Sequence, residues 1–184
     1  MHKSFAASMV IALGVMTASS AARAELVING GFETGAAWLL IGGGPFPNFG
    51  YTAAQAHTGS RSFEFANALA RDDTIRQTLA TTAGTSYTLS FWLFNSQQGN
   101  DHLRVSWEGG LVIDLLPVNI PLNTWTQFTY TVTASLTGSE LRFAGYDVPD
   151  RIRLDDVSVV AVPTPATLSL GALTLCTFAR RRRR

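Results

Sequence analysis

The chain has 184 residues, 46% of them hydrophobic, with 14 Lys and Arg against 13 Asp and Glu for a formal charge of +1. That near-balance hides a division. Lys3, Arg23 and Arg180 to Arg184 hold half of the basic residues and no acidic ones, so seven basic and 13 acidic groups leave the stretch from Glu25 to Val162 at −6. An acidic body repels phosphate polymers and argues against a nucleic-acid partner. The single cysteine, Cys176, lies beyond that body, which therefore has no disulfide and must rely on its own core.

The N-terminus reads MHKSFAASMVIALGVMTASSAARA: a basic start at Lys3, an apolar run from Phe5 to Met16, then small residues ending in Ala22-Arg23-Ala24. This is the layout of a secretory signal peptide, residues 1–24, with a new N-terminus near Glu25. The run is too short and wrongly flanked for a membrane span.

Residues 25–160 show no helical periodicity. A Gly/Pro-rich loop (IGGGPFPNFG, 41–50) comes first, and short runs with period-2 alternation follow it. SRSFEF sets Phe63 and Phe65 against Ser62 and Glu64. TIRQTL sets Ile75, Gln77 and Leu79 against Arg76 and Thr78. TSYTLSFWLF sets Tyr87, Leu89, Phe91 and Leu93 against Thr88, Ser90, Trp92 and Phe94. HLRVSW and LVIDLL, separated by Gly109-Gly110, make a hairpin, and WTQFTYTVTA, ELRFAG and RIRLDDVSVV complete the series. Such runs, divided by turn residues, predict an all-β sandwich with one wet face on each sheet. The parity shift from Leu154 to Val157 across Asp155-Asp156 predicts a β-bulge.

The last segment, 161–184, has three parts: Val162-Pro163-Thr164-Pro165, a run of 14 residues from Ala166 to Ala179, and five arginines. A helix over that run reaches about 21 Å, short of the ~30 Å hydrocarbon core, and the prolines bar its extension backwards. Arginine clusters resist translocation, so Arg180 and Arg181 with their neighbours act as a cytoplasmic stop behind an exported body. A basic tail for nucleic acid is the other reading.

This order of parts resembles the PEP-CTERM sorting signal. Thr164 stands where that family usually has an acidic residue between Pro163 and Pro165. The resemblance implies export to a bacterial envelope, surface or extracellular matrix, transient membrane anchoring by the tail, and processing by an exosortase. The body resembles the galactose-binding-like jelly roll, on LVINGGFETG, GTSYTLSFWLF and RLDDVSVV. That resemblance implies a carbohydrate-binding-module fold. It also implies a structural Ca2+ ion tying the N-terminal segment to the last strand, at Glu33 and Asp155 or Asp156 with carbonyls near Gly59 and Ser60. Against calcium stands the plainer reading that the two aspartates cap the bulge and Glu33 is solvated.

For a ligand, the outward side of TSYTLSFWLF offers Trp92 and Phe94. Sugars stack on aromatic rings while a few polar groups bond their hydroxyls. Arg104, Arg76, Ser106 and Glu64 are the expected polar neighbours, on condition that their strands share Trp92's sheet. The competing reading has Trp92 as core beneath a loop. Trp38, Phe46, Phe49 and Tyr51 form an alternative rim around the Gly-rich loop, Tyr146 and Asp147 are further rim candidates, and Trp107 and Trp125 read as core or core edge. His57 and His102 read as loop or strand-end residues. No zinc cluster, nucleophile motif or facing carboxylate pair supports catalysis. The expectation is an exported, non-catalytic, carbohydrate-binding sandwich, or else a structural matrix or biofilm protein with no small ligand.

Overall fold

The computed structural model describes residues 23–42, 49–66, 70–97, 99, 101–116, 120–148 and 150–163. Among the described residues ten strands follow one another: β1 (Leu39–Ile41), β2 (Phe49–Thr52), β3 (Ser62–Phe65), β4 (Asp73–Leu79), β5 (Ser86–Asn95), β6 (His102–Trp107), β7 (Gly110–Leu115), β8 (Thr126–Thr133), β9 (Ser139–Tyr146) and β10 (Ile152–Ala161). They form two five-stranded antiparallel sheets. The first runs β1-β4-β9-β6-β7 and the second β2-β3-β10-β5-β8. Sequence neighbours repeatedly switch sheets, as β3 to β4 and β9 to β10 do, so the layers are stitched together throughout. Among the described residues no helix is long and apolar enough to cross a membrane. Residues 1–22 of the signal-like segment, Phe46 and the tail from Thr164 onward, including Pro165, Arg180 and Arg181, lie outside the described residues.

The expected parity holds on every long strand. Leu89, Phe91 and Leu93 of β5, Ile75 and Leu79 of β4, Leu103 and Val105 of β6, Leu141 and Phe143 of β9, and Ile152 and Leu154 of β10 all point between the sheets and are buried. Aromatic rings join the layers, Phe91 meeting Phe143 edge-on at 5.2 Å. The bulge occurs where parity predicted it. The β10–β5 register slips between Asp155 and Ser158, and Asp156 takes a positive φ of 47°. One extra residue there returns Val157 and Val159 to the interior. In the β6–β7 turn, Glu108 and Gly109 both have positive φ, the backbone a two-residue hairpin needs to match strand twist.

Residues 25–38 lie along the seam between the sheets. Leu26 N–H donates to the Val159 carbonyl, and Val157 N–H donates to the Gly30 carbonyl. Gln77 explains the opposite side. It is an inward polar residue on an apolar strand, and it accepts from Ile28 N–H and donates to the Ile28 and Ala37 carbonyls. Its amide thus satisfies backbone groups that burial would otherwise leave unpaired. Phe32 and Trp38 of this segment are buried and stacked at 5.6 Å, and Trp38 Nε1 donates to the Asn29 carbonyl. Trp38 is therefore core, not a rim. Phe49 and Tyr51 likewise turn their edges onto Phe63. Gly30 allows the seam to close, because a Cβ there would fall on the Val157 carbonyl oxygen.

Candidate functional site

The predicted ligand group divides between two faces. Trp92 and Phe94 stand on the outer face of the second sheet. Arg76 and Arg104 belong to β4 and β6, and so to the outer face of the first sheet. There Arg76 pairs with Glu140 at 2.5 Å, while Arg104 reaches Asp72 at 3.1 Å and Asp114 at 3.4 Å. His102, at the start of β6, sits between the same two aspartates. Alternation fixes which side of its own strand a residue occupies. It does not say which sheet the strand joins, and here the condition attached to Arg76, Arg104 and Ser106 fails. Glu64 alone of the expected polar neighbours shares Trp92's sheet.

On the second sheet's outer face, β10 lies between β3 and β5. The register sets Arg153 between Glu64 and Phe94, and Asp155 beside Trp92. Residues 53–61, the connection from β2 to β3, fold over the Asp155 end. Asp155 is fully buried and accepts from the backbone N–H groups of His57 (2.7 Å), Thr58 (3.3 Å) and Asp156 (2.8 Å). Burial pushes its carboxyl up to about 6, even though these donors pull the other way. Asp156 accepts from Thr58 Oγ1 and bonds His57 Nδ1, both at 2.6 Å. The His57 ring, so held, stacks on Trp92 at 3.8 Å and 17°. A loop thus covers one face of Trp92.

Beyond His57 the aromatic surface continues. Trp125 meets His57 edge-on at 5.6 Å and Phe94 at 5.5 Å. Trp125 is half-buried on the outer face rather than at a core edge, whereas Trp107 is core, donating to the Thr133 carbonyl. Beside Phe94 runs a row of charges. Arg151 Nε lies 3.3 Å and Arg153 Nε 3.7 Å from the Glu64 carboxylate. Glu64 Oε2 and both Nε atoms are buried without a hydrogen-bond partner. Polar atoms in that condition cost stability unless something bonds them. The sequence reading placed Trp125 at the core or its edge and singled out neither Arg151 nor Arg153. Trp125 was findable, since the β5–β8 pairing of Trp92 with Gln127 and Leu93 with Thr126 extends to Phe94 with residue 125.

The expected calcium ligands meet the same loop at its other end. Glu33 accepts from Ser60 N–H (2.9 Å), Ser60 Oγ (2.7 Å) and Arg61 N–H (3.0 Å), bonds that hold its carboxyl below the usual range. Gly59, at φ 64°, passes so close to Glu33 that a Cβ would strike the carboxylate. Hard carboxylate oxygens from Glu33, Asp155 and Asp156 are the donor chemistry calcium takes. Their present partners are mainly N–H and hydroxyl donors of residues 57–61. No group of three or more His, Cys, Asp or Glu side chains suited to a metal occurs among the described residues.

No protein-family description and no curated protein matches this chain. Solved structures do. The module TmCBM61 in complex with beta-1,4-galactotriose superimposes with a TM-score of 0.58 at 19% identity, covering 76% of this chain and 100% of that one. The fold is shared with carbohydrate-binding modules. The CBM22-1 xylan-binding domain of Xyn10C from Paenibacillus barcinonensis gives 0.57 at 16% identity, with 78% and 99% covered. The enzymatically active domain of bacteriophage CBA120 tailspike protein 4 gives 0.56 at 18% identity; 75% of this chain is covered but only 21% of the tailspike. The likeness establishes an all-β jelly-roll sandwich.

Proposed function

We propose that the chain is an exported, surface-sorted, non-catalytic sandwich that binds carbohydrate, such as an exopolysaccharide, on the outer face of its second sheet. The observation that carries this is the juxtaposition on one face of Trp92, Phe94 and Trp125 with the Glu64, Arg151 and Arg153 ion pairs, whose hydrogen-bonding capacity is incompletely used. Rings accept the C–H faces of a sugar, and the carboxylate and guanidinium groups take its hydroxyls. The fold's occurrence among modules crystallised with galactotriose or described as xylan-binding supports the reading. Export and exosortase processing rest on the two terminal segments. Calcium at Glu33, Asp155 and Asp156 is part of the proposal. Asp155 is a buried carboxylate hydrogen-bonded by N–H groups alone, and a cation there would clip the N-terminal segment to β10.

A matrix or biofilm protein without a small ligand is the second reading, favoured by the His57 ring already lying on Trp92. Titration of the chain with a glycan panel, read by tryptophan fluorescence, separates the two. Saturable binding that weakens at least tenfold in Trp125→Ala, while Arg104→Ala binds as the parent does, supports the module. A flat response to every glycan together with concentration-dependent self-association supports the matrix protein.

A further inference from the structure

The interior of the sandwich changes character at one end. Asn95 is the next inward position after Leu89, Phe91 and Leu93 on β5. Asp101 precedes inward Leu103 and Val105 on β6. Asp147 follows inward Phe143 and Gly145 on β9, and Asp73 precedes inward Ile75 on β4. One step beyond the last β6–β9 pair, His102 with Tyr146, the ladder brings Asp101 and Asp147 side by side. All four residues are at most 2% exposed. This is a polar layer closing an apolar core, built by strands of both sheets.

The hydrogen bonds in that layer are one-sided. Asp101 Oδ2 accepts from Asn95 Nδ2 at 2.6 Å and from Gly99 N–H at 3.4 Å, while Asp101 Oδ1 has no partner. Neither oxygen of Asp147 has a well-formed one; the polar groups against its carboxyl are the Asp101 carboxyl and the Asp150 backbone N–H. No basic side chain pairs with either aspartate among the described residues, since the arginines nearest in sequence, Arg104, Arg151 and Arg153, are engaged with Asp72, Asp114 and Glu64. Asp150 adds a further carboxylate, hydrogen-bonded by Ser96 Oγ. Two buried carboxylates facing one another without a counter-charge are strongly unfavourable. The strain shows in Asp147, which burial and the neighbouring Asp101 push up to about 8.

From this geometry we propose that the Asp101–Asp147 end of the sandwich binds a divalent, calcium-sized cation, at a site separate from Glu33, Asp155 and Asp156. One divalent ion neutralises the two carboxylates. Three buried oxygens lack a well-formed hydrogen bond, and calcium, which takes about six to eight oxygens in all, would draw the other three to five from carbonyls and water. Asn95 is a positioning residue: its amide holds Asp101 Oδ2 and leaves Oδ1 facing Asp147. The ion would join the β5–β6 and β9–β10 connections and so brace both sheets at that end.

The test uses the full chain, stripped with chelator and titrated with Ca2+ by calorimetry, with melting temperature read in parallel. The double variant D101N/D147N is expected to lose one equivalent of bound calcium and its share of the calcium-dependent rise in melting. In chelator it is expected to melt no lower than the parent, because neutral amides replace two crowded, buried carboxyls that have no counter-charge. Asp155→Asn is expected to keep that equivalent whatever happens at the seam site. Glycan binding is a separate readout, so failure here and failure of the carbohydrate reading are distinguishable. The proposal is overturned if the parent binds no calcium, or if D101N/D147N binds as many equivalents as the parent; a proton shared by the two aspartates gives that second result. Should the double variant fail to fold, Asp147→Asn alone is read in the same way.

Discussion

His57 decides how Trp92 can be used. Its main chain is bonded by Asp155, its ring nitrogen by Asp156, and its ring lies flat on the indole. Replacing it with alanine is expected to cost about 1 kcal/mol, as aromatic pairs typically do, and to expose Trp92. Red-shifted tryptophan emission and faster acrylamide quenching check this; unchanged quenching in a folded His57→Ala protein would show that other groups shield the ring. Glu108 gives a cleaner electrostatic case. Its carboxylate accepts from Ser135 and Ser139 hydroxyls and from the Ser135 and Leu136 N–H groups, which lowers its pKa to about 2. A depressed carboxylate stabilises the fold above its unfolded pKa near 4.5, and that stability drains away as pH falls towards 2. Glu108→Gln should therefore melt lower than the parent at pH 7, with the gap closing at pH 2 to 3. A gap that stays constant across that range would rule out ionisation as the cause.

At the level of elements, the bulge in β10 is the feature on which most depends. Asp156 is the extra residue that restores Val157 and Val159 to the core, and it also anchors residues 57–58 over Trp92. Deleting Asp156 would carry every later inward side chain of β10 to the outer face, and no soluble folded protein is expected. Asp156→Gly keeps the residue count and accommodates the positive φ, so it should fold, losing only the His57 and Thr58 contacts. Circular dichroism and melting compare the two, and equal stability would contradict the register argument. This bulge was legible in the sequence because the parity of RIRLDDVSVV breaks at one place. The partnership of strands was not. Period-2 patterns look alike whichever sheet a strand enters, which is why Arg76 and Arg104 were grouped with Trp92 though two layers separate them. The inward aspartates were hidden for a related reason: Asp101 and Asp147 sit at strand ends, where a polar residue reads as the start of a loop.

On the scale of the whole molecule, the two outer faces differ in kind. The first sheet carries Arg76, Arg104 and Arg142 among Glu140, Asp114 and Asp72, a mixed charged surface largely paired within itself. The second carries the indoles and the partly unsatisfied Glu64–Arg153 row. Between them lies a core whose centre includes Phe91 and Phe143; truncating Phe91 to alanine is expected to cost about 3–5 kcal/mol, with a corresponding fall in the denaturation midpoint. The four tryptophans report separately on these regions, since Trp38 and Trp107 are core while Trp92 and Trp125 belong to the second face. The most direct measurement is a proton–nitrogen correlation spectrum of the indole N–H groups, recorded while oligosaccharides are added to saturation. Carbohydrate binding on the second sheet predicts that the Trp92 and Trp125 resonances move with a common dissociation constant while those of Trp38 and Trp107 stay in place. Resonances that stay fixed at saturating sugar, or movement confined to the arginine Nε–H groups of the first sheet, would contradict it.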